Sequence, residues 1–80
     1  NLLIFLQNKS PEEYMSPLND IYARCANLEI WYQRYYALEM IKRQLEEING
    51  EFKNELQGVY KKLIDKEEDP RVLGYLGIQN

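Results

Sequence analysis

Acid–base catalysis by paired carboxylates needs two acids in a shielded pocket whose surroundings separate their pKa values. Acidic pairs are plentiful here: Glu12/Glu13, Glu46/Glu47, Glu51/Glu55 and Glu67/Glu68/Asp69. Each falls on a polar helix face or in a charged linker, open to water. Ser10 and Ser16 have no histidine to activate them, because the chain has none. Both precede a proline and read as helix caps. Cys25 is the only cysteine, so no disulfide closes within the chain, and a Cys/His metal site lacks its ligands. It lies on an apolar stripe, where buried cysteine behaves as a small hydrophobe. The four glycines are scattered, with no phosphate-cradling loop. These residues point away from an enzyme and imply no cofactor, no metal and no small-molecule substrate.

The segment Ile30-Trp31-Tyr32-Gln33-Arg34-Tyr35-Tyr36-Ala37-Leu38 carries more information. On a helix Trp31 neighbours Tyr35, and Tyr32 neighbours Tyr36. Ile30 and Met40 point to other sides, so this stretch is apolar nearly all round and must be covered on several faces. The cover is either the chain's own terminal segments or another protein. Tyrosine, tryptophan and arginine are enriched as anchors in protein interfaces, which makes Trp31, Tyr32, Arg34, Tyr35 and Tyr36 the candidate partner interface. A nucleobase-stacking platform is the alternative. Stacking needs a positive groove beside it, and Arg24 and Arg34 are the only nearby cations.

The bulk numbers bound the rest. Eighty residues form one domain, 1–80, or a fragment of a longer chain, since the sequence begins at Asn1 rather than methionine. A chain of this size buries only about 60–65% of its unfolded surface, so association with another chain is a natural supplement. Ten basic residues against 13 acidic ones leave a net charge of −3, which argues against a broad phosphate-binding surface. The Lys42-Arg43 and Lys61-Lys62 pairs alternate with glutamates and aspartates and read as solvated faces. The longest apolar run, Leu2-Leu3-Ile4-Phe5-Leu6, is far short of the roughly 20 residues that span a bilayer. A lone cysteine fits a reducing, cytoplasmic setting.

Ser10-Pro11-Glu12-Glu13 has the form of a capping box with proline at the first helical position. Ser16-Pro17 repeats the opening, and a proline disfavours helical geometry at the residue before it. The pattern predicts one short turn over 11–15 and a new helix from Pro17. From there to Lys66 no proline occurs, and apolar residues recur in steps of three and four. At ~100° per residue, Leu38, Ile41, Leu45, Ile48, Phe52, Leu56, Val59 and Leu63 fall within roughly 80° of one another. That phase runs straight through Asn49-Gly50, a pair that otherwise terminates helices well. The earlier stripe, Leu18 to Tyr36, is centred roughly 150° away, so the two halves should meet different neighbours. Asp65-Lys66-Glu67-Glu68-Asp69-Pro70 reads as a helix end and hinge. Beyond it, Val72, Leu73, Tyr75, Leu76 and Ile78 suit a short helix or a docking strand.

The stretch from Tyr60 to Gly77, with Asp69-Pro70 and then a Leu-Gly pair, resembles the junction between tetratricopeptide repeats. Tyr35-Tyr36-Ala37-Leu38-Glu39 resembles the second helix of such a repeat. The resemblance covers fragments, without a 34-residue internal period.

The expected fold is all-α: one long amphipathic helix over about 17–66, with short terminal segments packed on it. A break at Asn49-Gly50 would convert it into a helical hairpin. An unbroken helix would be about 75 Å long, too long for 80 residues to wrap. Its stripe at Leu38, Ile41, Leu45, Ile48, Phe52, Leu56, Val59 and Leu63 would then pair with a second copy or a partner helix as a coiled coil. The expected function is a non-enzymatic protein–protein interaction module, such as a homodimeric adaptor, assembly subunit or small regulator. A nucleic-acid-binding regulator is the competing class.

Overall fold

The capping box at Ser10 starts a helix that does not stop where Ser16-Pro17 suggests. Glu13 reaches back to the Ser10 hydroxyl at 3.0 Å and to its backbone N–H at 3.5 Å. The helix then continues through Pro17 to Ala26. A mid-helix proline removes one backbone hydrogen bond, here the one to the Glu13 carbonyl. Burial of Tyr14 and Leu18, one turn apart on either side of Pro17, holds the helix together across it.

The computed structural model describes residues 2–78, with the side chain of Leu2 excepted. It contains five helices: α1 (Leu2–Leu6), α2 (Pro11–Ala26), α3 (Trp31–Leu45), α4 (Glu51–Lys66) and α5 (Pro70–Tyr75). No strand occurs among the described residues. The all-α expectation holds, but the single helix over 17–66 does not. The chain turns at 27–30 and again at 46–50. Its longest dimension is 36 Å, about half the length of the expected rod.

Each break has a local cause. Asn27 caps α2, its side-chain amide donating to the Ala23 carbonyl at 2.8 Å. The roughly 150° change of stripe is the trace of this turn in the sequence. At the second break, Gly50 has φ +81° and ψ −162°, a conformation essentially restricted to glycine. The unbroken stripe across it has a different origin from a continuous helix. Both α3 and α4 turn their apolar faces toward one core, and Ile48, in the loop between them, is fully buried and fills the gap in the pattern.

α4 packs against α2 and α3, and α5 against α3. The Tyr14 and Phe52 rings meet edge to face at 5.1 Å where α2 crosses α4. Leu3 and Leu6 of α1 join the same core. The Gln7 side chain then accepts the Asn49 backbone N–H at 3.0 Å, tying α1 to the α3–α4 turn. α5 closes in a Schellman motif, with Gly77 at φ +77° and Ile78 N–H donating to the Leu73 carbonyl at 2.9 Å. Of the proposed self-association stripe, all but Leu45 are buried and Leu45 is half-buried. The stripe is spent inside the chain, and pairing through it would require the bundle to open.

Two glycines test this topology with opposite signs. A Cβ at Gly50 or at Gly58 would meet no neighbouring atom, so only backbone preference acts. Gly58 lies inside α4, and Gly58→Ala is expected to stabilise by up to about 1 kcal/mol. Gly50→Ala is expected to destabilise by about 1–3 kcal/mol. Thermal melts of the two variants provide the check, and a gain at position 50 would contradict the turn.

Candidate functional site

α3 begins without a side-chain cap, because its N-cap residue is Ile30. Arg34 takes over the work of ordering that entrance. Its Nη1 group donates to the Leu28 carbonyl at 3.0 Å and to the Glu29 carbonyl at 2.9 Å. Its Nε and Nη2 groups donate to the two Glu67 oxygens at 2.8 and 3.1 Å. Glu67 in turn accepts the Asp69 backbone N–H at 3.1 Å. The Glu67 side chain is only 4% exposed and that of Arg34 23%. Arg34 was grouped with the interface aromatics; the structure instead commits it to the frame that holds them.

Asp69 caps α5, accepting the Arg71 N–H at 2.9 Å, and pairs with the Arg71 guanidinium at 2.8 and 3.1 Å. That guanidinium stands 4.3 Å over the Trp31 ring, a cation–π contact. Pro70 at the first helical position and Asp69 at the cap fix the phase of α5. Arg71 and Tyr75 therefore share a face, one turn apart. Lys42 of α3 donates to the Leu76 carbonyl at 3.0 Å, holding the far end of α5.

Between α3 and α5 these supports create a groove of about 300 Å³ lined by Trp31, Tyr32, Tyr35, Tyr36 and Tyr75. Trp31 and Tyr75 stack at 6.0 Å with planes 11° apart. Tyr32 meets Trp31 edge-on at 5.9 Å, and Tyr35 sits 5.6 Å from Tyr75 and 5.3 Å from Tyr36. Trp31 and Tyr35 are half-buried against the core. Tyr32, Tyr36, Tyr75 and Met40 are 47%, 65%, 67% and 61% exposed, so the chain leaves much of this aromatic area facing water. Among the described residues, none of these tyrosine hydroxyls has a hydrogen-bond partner.

The structure thus brings together Trp31, Tyr32, Tyr35 and Tyr36 and separates Arg34 from their exposed face. Tyr75, Arg71 and Met40 were missed as members of the face. The Asp69-Pro70 pair was the signal for two of them, since it sets the start of α5 and hence the side on which Arg71 and Tyr75 emerge.

A second cavity, of about 280 Å³, lies where α2, α3 and α4 converge, over Cys25, Leu28, Leu38 and Leu63. Burial pushes the Cys25 thiol pKa up, which leaves less of the reactive thiolate at neutral pH. Among the described residues, no helix is long and apolar enough to cross a membrane. Comparison with protein-family models, curated proteins and solved structures finds no match to this chain. The tetratricopeptide-like junction is accordingly not extended to a family.

The Arg34–Glu67 pair generates a pH-dependent prediction. Burial raises the Glu67 pKa, but the hydrogen bonds from Arg34 and the Asp69 N–H outweigh it and leave it below the usual value. Asp69 is lowered to about 2 by its bonds with Arg71. The stability contributed by both carboxylates is complete above their unfolded pKa values of about 4 and is lost as pH falls through the folded values. In Arg34→Met the arginine's bonds and charge are gone, and only the backbone N–H bonds from Asp69 and Glu68 still oppose burial, so the Glu67 pKa rises from its native position. Protonating Glu67 in acid then costs the variant less than it costs the native chain. The variant is expected to lose about 3 kcal/mol at pH 7, with the deficit shrinking toward pH 3. Urea titrations at the two pH values measure this, and a deficit that grows in acid would refute it.

Proposed function

We propose that the chain is a non-enzymatic helical protein–protein interaction module whose contact surface is the α3–α5 aromatic face. One observation carries this reading. Tyr32, Tyr36, Tyr75 and Met40 stay exposed together on α3 and α5, whereas the other exposed large apolar side chains, Ile4, Phe5, Met15 and Ile30, are spread over α1, α2 and the α2–α3 turn. Apolar side chains collected on one exposed face are a mark of an interaction site. Aromatic residues suit the task because they offer large, amphipathic area at low entropic cost. Trp31 and Tyr35 form a firm floor beneath them, being packed on the core.

The competing nucleic-acid reading draws less support. A stacking platform needs cations beside it to track phosphates. Arg34, Arg43 and Arg71, the arginines of α3 and α5, are already held by Glu67, Glu39 and Asp69. The lone, half-buried thiol of Cys25 accords with a reducing compartment. A homodimer closed through Leu38, Ile41, Leu45, Ile48, Phe52, Leu56, Val59 and Leu63 is no part of this proposal, because those residues supply the core.

Exposed anchors can be removed without unfolding their scaffold. Tyr32→Ala and Tyr36→Ala are each expected to change stability by no more than about 0.5 kcal/mol. Each should still abolish capture of the partner from a lysate. Phe52→Ala, which empties the core, should cost about 3–5 kcal/mol. Parallel melts and pull-downs read both effects. Capture that survives both tyrosine truncations would remove the aromatic face as the site.

A further inference from the structure

We propose that the groove between α3 and α5 receives a proline-rich segment in the polyproline II conformation; this rests on reading the aromatic face as a protein-binding site. The groove offers two kinds of contact. Its faces are the rings of Trp31, Tyr32, Tyr35, Tyr36 and Tyr75, against which pyrrolidine rings pack well. Its polar groups are tyrosine hydroxyls that have no partner among the described residues. A polyproline II segment has no internal hydrogen bonds and presents solvated carbonyls. Proline adds no backbone N–H. Hydroxyl donors in the groove therefore meet carbonyl acceptors on the ligand, and no donor of the ligand is left orphaned.

Charge complementarity selects the same occupant. Arg71, the cation that stands over the Trp31 ring, is neutralised by two bonds to Asp69. A charged peptide would surrender hydration there without finding a counter-ion, whereas a proline-rich one carries no charge to desolvate. Area separates it from a second copy of the chain. At about 200 Å² for a full aromatic or methionine side chain, the exposed parts of Tyr32, Tyr36, Tyr75 and Met40 amount to roughly 500 Å². A standard interface takes about 800 Å² from each partner. A short extended segment needs less. With about 3 residues per turn and 3.1 Å per residue, two same-side prolines stand ~9 Å apart, within the ~12 Å that α3 rises from Tyr32 to Met40.

The test is titration of the ¹⁵N-labelled chain with an acetylated, amidated decaproline, with a glycine–serine peptide of equal length as control. Decaproline should shift the Trp31 indole N–H and the α3 and α5 amides saturably, and the control should not. Tyr36→Ala should weaken the binding by about tenfold or more, as loss of an anchor does, with its melting temperature unchanged. Tyr75→Ala, which also gives up the stack on Trp31, should weaken it as much with a small drop in melting temperature. Tyr36→Phe, which removes only the hydroxyl, should weaken it less. Absence of shifts at millimolar decaproline, or equal shifts with the control, would overturn the proposal. So would concentration-dependent shifts on this face without peptide, which would assign it to a second copy. If decaproline fails while Tyr36→Ala still abolishes lysate capture, the polyproline assignment falls and the site stands. If capture is also unaffected by the variant, both fall.

Discussion

The bidentate pair between Arg34 and Glu67 is the contact on which the arrangement of this small bundle turns. One guanidinium closes the α2–α3 connection by taking the Leu28 and Glu29 carbonyls, and joins it to the start of the α4–α5 connection through Glu67. Such a pair does not stabilise a fold merely by being charged. Desolvation offsets much of the attraction, and an apolar pair of equal volume can be as stable. Its value here is directional. The fork geometry of arginine fixes where α3 begins, and the Glu67 bond to the Asp69 N–H fixes where α5 begins. From those two starting points follow the stacking of Trp31 on Tyr75 and the seat of Arg71 over the indole.

This explains which parts of the fold were legible in the residues. The capping box at Ser10, the apolar faces of α3 and α4 and the stop at Asp69-Pro70 are local signals, and each appears where the pattern puts it. The turn at 27–30 carries no glycine or proline. It is made by the Asn27 cap and by Arg34 reaching a glutamate 33 residues away, which a single sequence does not display. Its one trace was the sudden change of apolar stripe. The turn at Gly50 was concealed for the opposite reason: Ile48 is buried from within the loop and keeps the rhythm of the helices on either side. Of the aromatic face, the α3 residues were visible by spacing. The α5 contribution depended on tertiary packing, and Arg34 was visible but belonged to the frame.

The division of labour between the two apolar surfaces follows from size. A chain of 80 residues has little apolar surface to spare, and the core consumes Phe52, Leu56, Ile48, Val72 and Leu18 completely. Tyr32, Tyr36 and Tyr75 remain outside it because their rings emerge from the sides of α3 and α5 that no other described helix covers. Their exposure costs the bundle little, since phenol rings keep a polar edge in water. A partner surface of this kind can therefore coexist with a folded monomer, whereas exposing the α3–α4 stripe could not.

The central claim is that the Leu38-to-Leu63 stripe closes within one chain, with the aromatic face left exposed as the proposed contact surface. Small-angle X-ray scattering across micromolar concentrations tests it most directly. A monomer mass with a radius of gyration close to the 12.5 Å of the Cα trace is the predicted result. A rod approaching 75 Å, as a continuous helix over 17–66 would give, or a two-chain particle dispersed by Leu45→Glu with Leu56→Glu, would contradict it.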